Sequence, residues 1–245
     1  MTEVVWYKRN PLFKSIYKAQ KKWRQKMWDA IEGMHYRRNV QRSYEAARRN
    51  INVADADYDK YLKDQLEETL LKKKLVGERR FAVIPLIDML RSKHDFTGAD
   101  VLCVGARNTD EIKYFRQKGA KSVVGIDLFT DDPDLTIMDM HDLKFPDAQF
   151  DIVYSRHSFE HAYDKRKAAQ EWIRVLKDGG IVIIEVPGKY KGGGDYNRFE
   201  ENEDVVGAFR PYVGEFLWNE YSRKEENTDK MDIIRVMFHV NKKAG

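Results

Sequence analysis

Between Asp100 and Pro187, short apolar runs alternate with amphipathic stretches. The runs at 100–105, 122–128, 135–140, 150–156 and 181–187 read as strands, and the intervening 109–118 and 164–177 read as helices. Asn108 with Glu111 resembles a capping pair, and Gly119 is placed to end the first helix. Two more strands are expected at 213–222 and 232–241, joined by a turn-like Glu-Glu-Asn-Thr-Asp segment. The predicted fold class is α/β: a doubly wound, mostly parallel seven-stranded sheet with an antiparallel C-terminal hairpin. Only about seven residues join Asp127 to the third strand, too few for a crossover helix, so an abbreviated loop is expected there.

The first 93 residues have a different texture, and we expect a helical, basic extension over 1–93 followed by the α/β domain over 94–245. Phe13, Ile16, Tyr17, Trp23, Met27, Ile31 and Met34 recur at helical spacing within 12–50. Tyr58, Leu62, Leu66 and Leu70 mark a second helix, with Asp55, Asp57 and Asp59 near its positive end. A third stretch, Gly77 to Lys93, brings Phe81, Ile84, Ile87 and Leu90 to one face, and Pro85 should kink or break it.

Charge separates the two parts further. Residues 1–50 hold 13 Lys and Arg against 4 Asp and Glu, a net of +9, and the remainder holds 31 against 36, a net of -5. The stretch from Lys18 to Arg49 interleaves its basic residues with Trp23, Trp28, Tyr36 and Tyr44. Two readings stay open for residues 18–49: an anionic partner (nucleic acid or a membrane surface), or an aromatic stripe packed on the α/β domain or on a second subunit. A homo-oligomer is compatible with the second. No window approaches the ~18 apolar residues of a transmembrane helix, and no secretory signal is evident. Cys103 is the single cysteine, which excludes an intrachain disulfide, so a cytoplasmic location is expected.

The candidate chemistry starts at Asp100-Val-Leu-Cys-Val-Gly105, an apolar strand entering a tight turn. A second strand follows and ends in Asp127, 22 residues after Gly105, where a ribose-binding carboxylate belongs. A dinucleotide site wants three glycines in the first turn. Here only Gly105 is present, and Asp110 and Glu111 at the next helix start would repel a pyrophosphate. A cofactor with a sulfonium and an amino-acid tail suits the segment better.

Several segments now carry a specific resemblance: Val-Leu-Cys-Val-Gly-Ala-Arg107, Gly-Ile-Asp127, Met138-Asp139-Met140, Phe145-Pro146-Asp147 with Phe150-Asp-Ile-Val-Tyr-Ser155, Phe159-Glu160-His161, and Arg174-Val-Leu-Lys-Asp-Gly-Gly180 leading to Glu185-Val-Pro187. In this order, over roughly 98–188, the chain resembles a class I S-adenosylmethionine-dependent methyltransferase of the small-molecule type. The resemblance implies the cofactor S-adenosyl-L-methionine. It places Gly105, Ala106, Arg107, Asn108 and Glu111 around the methionine part, Asp127 and Leu128 at the ribose, and Asp139 with the Met140 backbone at the adenine. Ser155 and Arg156 would line the transfer site. The family pattern is Gly-x-Gly where this chain has Gly105-Ala106-Arg107, which leaves the role of Arg107 open between methionine carboxylate and solvent.

Methyl transfer from a sulfonium is an in-line displacement, and an oxygen or nitrogen nucleophile can need a base. His157 and His161 follow the fourth strand and are the catalytic candidates. The alternative is that they orient a loop and pack beside the cofactor. His157-Ser-Phe-Glu160-His161 also matches a zinc-protease pattern, but that motif belongs on a helix, so no metal is expected. The glycine run 192–194 suggests a mobile lid, with Tyr190, Tyr196, Arg198 and Phe199 as acceptor contacts. The acceptor is expected to be a small molecule or glycan. A nucleic-acid acceptor, guided by the basic helices, and a non-catalytic cofactor-binding module are the alternatives.

Overall fold

The structure is a computed structural model and describes residues 56–76, 84–130, 132–227 and 231–244, with scattered positions between 19 and 48. Seven strands form one sheet: β1 Asp100–Val104, β2 Ser122–Asp127, β3 Thr136–Ile137, β4 Phe150–Arg156, β5 Leu176–Pro187, β6 Val213–Ser222 and β7 Ile233–Val240. Their order is β3-β2-β1-β4-β5-β7-β6. The first five pair in parallel, and β7 runs antiparallel to both β5 and β6. The expected α/β sheet with its antiparallel C-terminal hairpin is therefore present.

The central strands are apolar on both sides because both faces of the sheet are covered. On one face α4 (Lys165–Val175) buries Ala168, Ala169, Trp172, Ile173 and Val175, and Asp164 caps it by accepting hydrogen bonds from the Arg166 and Lys167 amides. Trp172 packs there with Phe159, Phe199, Phe209 and Phe238, all buried. On the other face α2 (Ile84–Lys93) and α3 (Asp110–Gln117) contribute Leu86, Ile87, Leu90, Ile112 and Phe115 to a second core with Tyr154 and Ile183. A third cluster joins α1 (Ala56–Val76) to the carboxyl ends of the strands through Tyr58, Tyr61, Leu62 and Phe129.

Some local expectations shift. The α3 helix begins one residue later than the Asn108–Glu111 box implied: Thr109 occupies the N-cap without a side-chain bond, and Asn108 Oδ1 accepts from the Asp110 amide. Gly119 ends that helix at φ 105°, as expected. The helix expected over 164–177 ends at Val175, and β5 starts at Leu176, ahead of the expected 181, pairing with Phe150 before a bulge. β3 shrinks to two residues, and the link from Asp127 is the short loop anticipated. Pro85 falls in the first turn of α2, where its missing N–H removes no helical bond. Residues 77–83, including Phe81, lie outside the described ones.

All described positions between 19 and 48 are helical. Trp23, Met27, Ile31 and Met34 are exposed, so these positions of the stripe do not pack on the domain of their own chain. Tyr44 is the buried exception, stacked on Phe129 with ring centroids 6.0 Å apart. Phe13, Ile16, Tyr17, Trp28 and Tyr36 lie outside the described residues. No described helix is long and apolar enough to cross a membrane.

Candidate functional site

In the strand order, β1 has β2 on one side and β4 on the other, so the chain reverses its winding between β1 and β4. The carboxyl ends of the strands part at such a switch point and leave a crevice for a ligand. A pocket lies there, lined by Val104, Gly105 and Arg107 after β1, Ile126 to Phe129 after β2, Met138 to Met140, and His157, Ser158 and His161 after β4. Its outer wall is α1, through Tyr61, Gln65, Glu68 and Thr69.

Of the expected cofactor residues, Gly105, Arg107, Asp127, Leu128, Asp139 and Met140 converge on this pocket, as do both histidines. Gly105 has φ 72°, and a Cβ there would overlap the Ser158 side chain, so glycine is needed both for the turn and for Ser158 to sit behind it. Asp127 Oδ2 accepts from the Arg107 amide at 3.0 Å and Oδ1 from the Phe129 amide at 2.9 Å. Burial raises the Asp127 carboxyl, and these two bonds pull it back. The backbone of Arg107, at φ 23°, thus braces Asp127 directly.

Other expected residues stand off the pocket wall. Ser155 is fully buried, its Oγ 2.6 Å from Ser158 Oγ, because strand alternation points it into the core. Arg156 is held by Glu185 at 2.7 Å, and Glu185 also receives Arg235 at 2.6 Å. Although burial opposes it, the His157 hydrogen bond and the two guanidinium charges bring Glu185 down to about 2. Ala106 is buried beneath the turn and Asn108 bonds the α3 start, so neither lines the pocket. Glu111 is buried behind the turn, and burial pushes its carboxyl up to about 8. Phe199 lies in the core, stacked on Phe159. Tyr190 is exposed, and Arg198 pairs with Glu200 on the surface.

The residues that periodicity did not single out for this site belong to α1. The Tyr58 hydroxyl donates to Asp139 Oδ2, while Asp139 Oδ1 accepts from the amide of His141 at 2.9 Å and faces its Nδ1 at 2.6 Å. Gln65 Nε2 donates to the Gly194 carbonyl at 2.5 Å, and Tyr196 donates to Asp64 at 2.8 Å. Tyr61 meets Tyr196 edge-on at 5.0 Å. The glycine run explains itself here: a Cβ on Gly193 would lie 2.8 Å from Glu68 Oε2, and one on Gly194 would lie 3.0 Å from Glu68 Cγ. These glycines form the seat on which α1 rests. The only forewarning in the sequence was the Tyr58-Leu62-Leu66 spacing, which marks an apolar face without naming its partner.

Asp139 is therefore engaged on both oxygens. Tyr58→Phe should release Oδ2, tightening S-adenosylhomocysteine binding several-fold while costing about 1–2 kcal/mol of stability for the lost buried hydrogen bond. Calorimetry with thermal melts reads both. Unchanged affinity would mean that Tyr58 does not compete with the adenine.

A parallel sheet opening at its switch point onto a carboxylate-lined pocket places the chain in the doubly wound class, whose ligands bind in that crevice. Residues 102–184 match a family model described as a methyltransferase domain. Ajmaline N-methyltransferase of Rauvolfia serpentina is 44% identical over 46 residues, 19% of this chain and 16% of that protein. The chain spans between 14% and 33% of the length of the curated relatives it matches. Among solved structures, 1,6-didemethyltoxoflavin-N1-methyltransferase of Burkholderia thailandensis, with bound 1,6-didemethyltoxoflavin and S-adenosylhomocysteine, superposes with a TM-score of 0.61. It is 16% identical, over 78% of this chain and 92% of that one. The [4+2]-cyclase SpnF superposes with a TM-score of 0.54 at 17% identity, over 65% of this chain and 82% of that chain. At such identities the likeness shows the fold alone. Residues 102–184 are thus similar to a methyltransferase domain, on a fold that solved methyltransferases share.

Proposed function

We propose that the protein transfers a methyl group from S-adenosylmethionine to an oxygen or nitrogen nucleophile of a small molecule or glycan. The observation that carries this reading is the convergence of Gly105, Asp127, Asp139, His157 and His161 on one pocket at the switch point. The cofactor, when bound, supplies an electrophilic methyl on a positively charged sulfur. The chain's own residues do the rest. Asp127 accepts the ribose hydroxyls, the positive-φ turn at Gly105 lets the methionine end approach the backbone, and α1 excludes water from above. His157 and His161 line the same pocket and are the groups that would take a proton from the acceptor, with His157 Nε2 3.4 Å from Glu185 Oε1. Tyr196 braces α1 through Asp64 and meets Tyr61 of the pocket wall edge-on, which makes it the acceptor-loop residue of choice in this reading.

The direct experiment is isothermal calorimetry with S-adenosylmethionine and S-adenosylhomocysteine, followed by a transfer assay with labelled cofactor. Asp127→Asn should weaken both ligands by about 10- to 100-fold, because an amide would bring a donor to a site already filled by two amide donors. Wild-type affinity in that variant would remove Asp127 from the ribose role. A nucleic-acid acceptor is a second reading, favoured by the +9 excess of residues 1–50 and the exposed Lys22, Arg24, Lys26, Arg37 and Arg38. Salt-dependent binding of RNA or DNA to the full chain separates it from the first.

A further inference from the structure

The loop that carries the glycine run does more than seat α1. Asp195, which ends the run, is buried at 5% side-chain exposure, and among the described residues it has no Lys or Arg partner. Its Oδ2 accepts from the Gly192 amide at 2.5 Å, and its Oδ1 lies 3.1 Å from His161 Nδ1. The same Nδ1 is 3.0 Å from the Gly194 carbonyl. A carbonyl oxygen can only accept, so the hydrogen of the neutral imidazole sits on Nδ1, shared between Gly194 and Asp195. The lone pair is then on Nε2, and the ring that carries it lines the pocket. His157 is held differently. Its Nε2 faces Glu185 Oε1 at 3.4 Å and its Nδ1 faces Glu160 Oε1 at 3.8 Å, so both ring nitrogens meet buried carboxylates.

We propose that Asp195 is the positioning residue of a His161 base, and that Nε2 of His161, rather than His157, takes the proton of the methyl acceptor. This rests on the methyl-transfer reading above. In the step, the O–H or N–H bond of the acceptor breaks and its proton moves to the Nε2 lone pair. The bonding pair stays on the acceptor atom, which bonds to the methyl carbon as the carbon–sulfur bond breaks and the sulfur keeps that pair. His161 becomes an imidazolium that donates from both nitrogens, and the buried Asp195 carboxylate is the charge that meets it. The ring is fixed from several sides. The Glu160 carbonyl accepts from the amides of Tyr196 at 3.0 Å and Asn197 at 2.9 Å, tying the turn that bears His161 to the loop that bears Asp195. Gln65 Nε2 also donates to the Gly194 carbonyl, at 2.5 Å, so α1 bears on the same group. The other charges around His161 are Glu160 in its own turn, and Asp127, Arg107 and Glu68 on the pocket wall.

The test reads the tautomer and the reactivity of His161 and needs no acceptor. Long-range 1H–15N NMR on the full chain labelled at histidine, in alkaline buffer, should show His161 with its hydrogen on Nδ1. Loss of that signal in His161→Gln assigns it. Carbethoxylation by diethyl pyrocarbonate, mapped by mass spectrometry, should occur at His161 and be slowed by S-adenosylhomocysteine. Its rate should fall by about 10-fold in Asp195→Asn and stay within about threefold of the wild type in Asp195→Glu, because an orienting carboxylate raises the basicity of the imidazole it holds. S-adenosylhomocysteine calorimetry on the same samples reports whether the fold and the pocket survive. If Asp195→Asn fails to bind, Asp195→Glu and the wild-type tautomer decide. A hydrogen on Nε2 in the wild type, modification that bound S-adenosylhomocysteine does not slow, or equal rates in the wild type and Asp195→Asn overturns the dyad. Absence of S-adenosylhomocysteine binding by the wild type instead overturns the methyl-transfer reading, and the base role with it, whatever the tautomer.

Discussion

Glu111→Gln is expected to stabilise the protein by roughly 4 kcal/mol at pH 8 and to leave it nearly unchanged in mild acid. Burial beneath the first turn raises the folded-state pKa of Glu111 from 4.5 to about 8, with Glu185, Asp110 and Asp127 adding repulsion and Arg156 opposing. The folded state therefore binds a proton that the unfolded chain releases at 4.5. Stability is fully present below 4.5 and is lost as the pH climbs towards about 8. Asp127, raised in the same sense, adds to this slope. Glu185 is shifted the other way, so its contribution falls between 4.5 and about 2, outside the window. Glutamine holds the neutral shape at every pH. Urea midpoints for both proteins at the two ends of the window read the effect, and parallel pH profiles would rule out a buried protonated Glu111.

The second large effect is expected from Gly105→Ala, at about 3 kcal/mol of stability together with loss of measurable cofactor binding. Part of that cost is intrinsic, since φ 72° is strained for any residue with a Cβ. The larger part is collision with Ser158. That side chain has little room to retreat, because its Oγ donates to the Val104 carbonyl at 2.9 Å and meets Ser155 Oγ at 2.6 Å. Repeating the change in a Ser158→Gly background should cut the stability loss to about 1 kcal/mol, the strain alone. An equal loss in both backgrounds would show that the overlap is not the cause.

What the sequence revealed of the site follows from how each residue is positioned. Gly105 and Asp127 end buried parallel strands, and such strands announce themselves as continuous apolar runs, so their ends could be located to within a residue. Ser155 and Arg156 end β4 as expected but do not line the pocket, because Ser155 bonds Ser158 in the core and Arg156 is held by Glu185. The turn after the strand, His157 to His161, supplies the pocket wall instead. Glu111 is the second residue of α3, in its first turn, and is buried there. The role of α1 was hidden for a different reason. Periodicity identifies an apolar face, but its partner is 80 or more residues away, as Tyr58 and Asp139 are. The three glycines read as a mobile lid in the sequence, yet two of them, Gly193 and Gly194, lie against the side chain of Glu68.

The position of α1 has a kinetic consequence. Its bonds to Asp139, Gly194 and Tyr196 hold it against the pocket. In the proposed methyl transfer, a nucleoside would enter and leave only when α1 parts from the glycine seat, so exchange of the spent cofactor would be paced by that opening and the tyrosines of α1 would act as its clock.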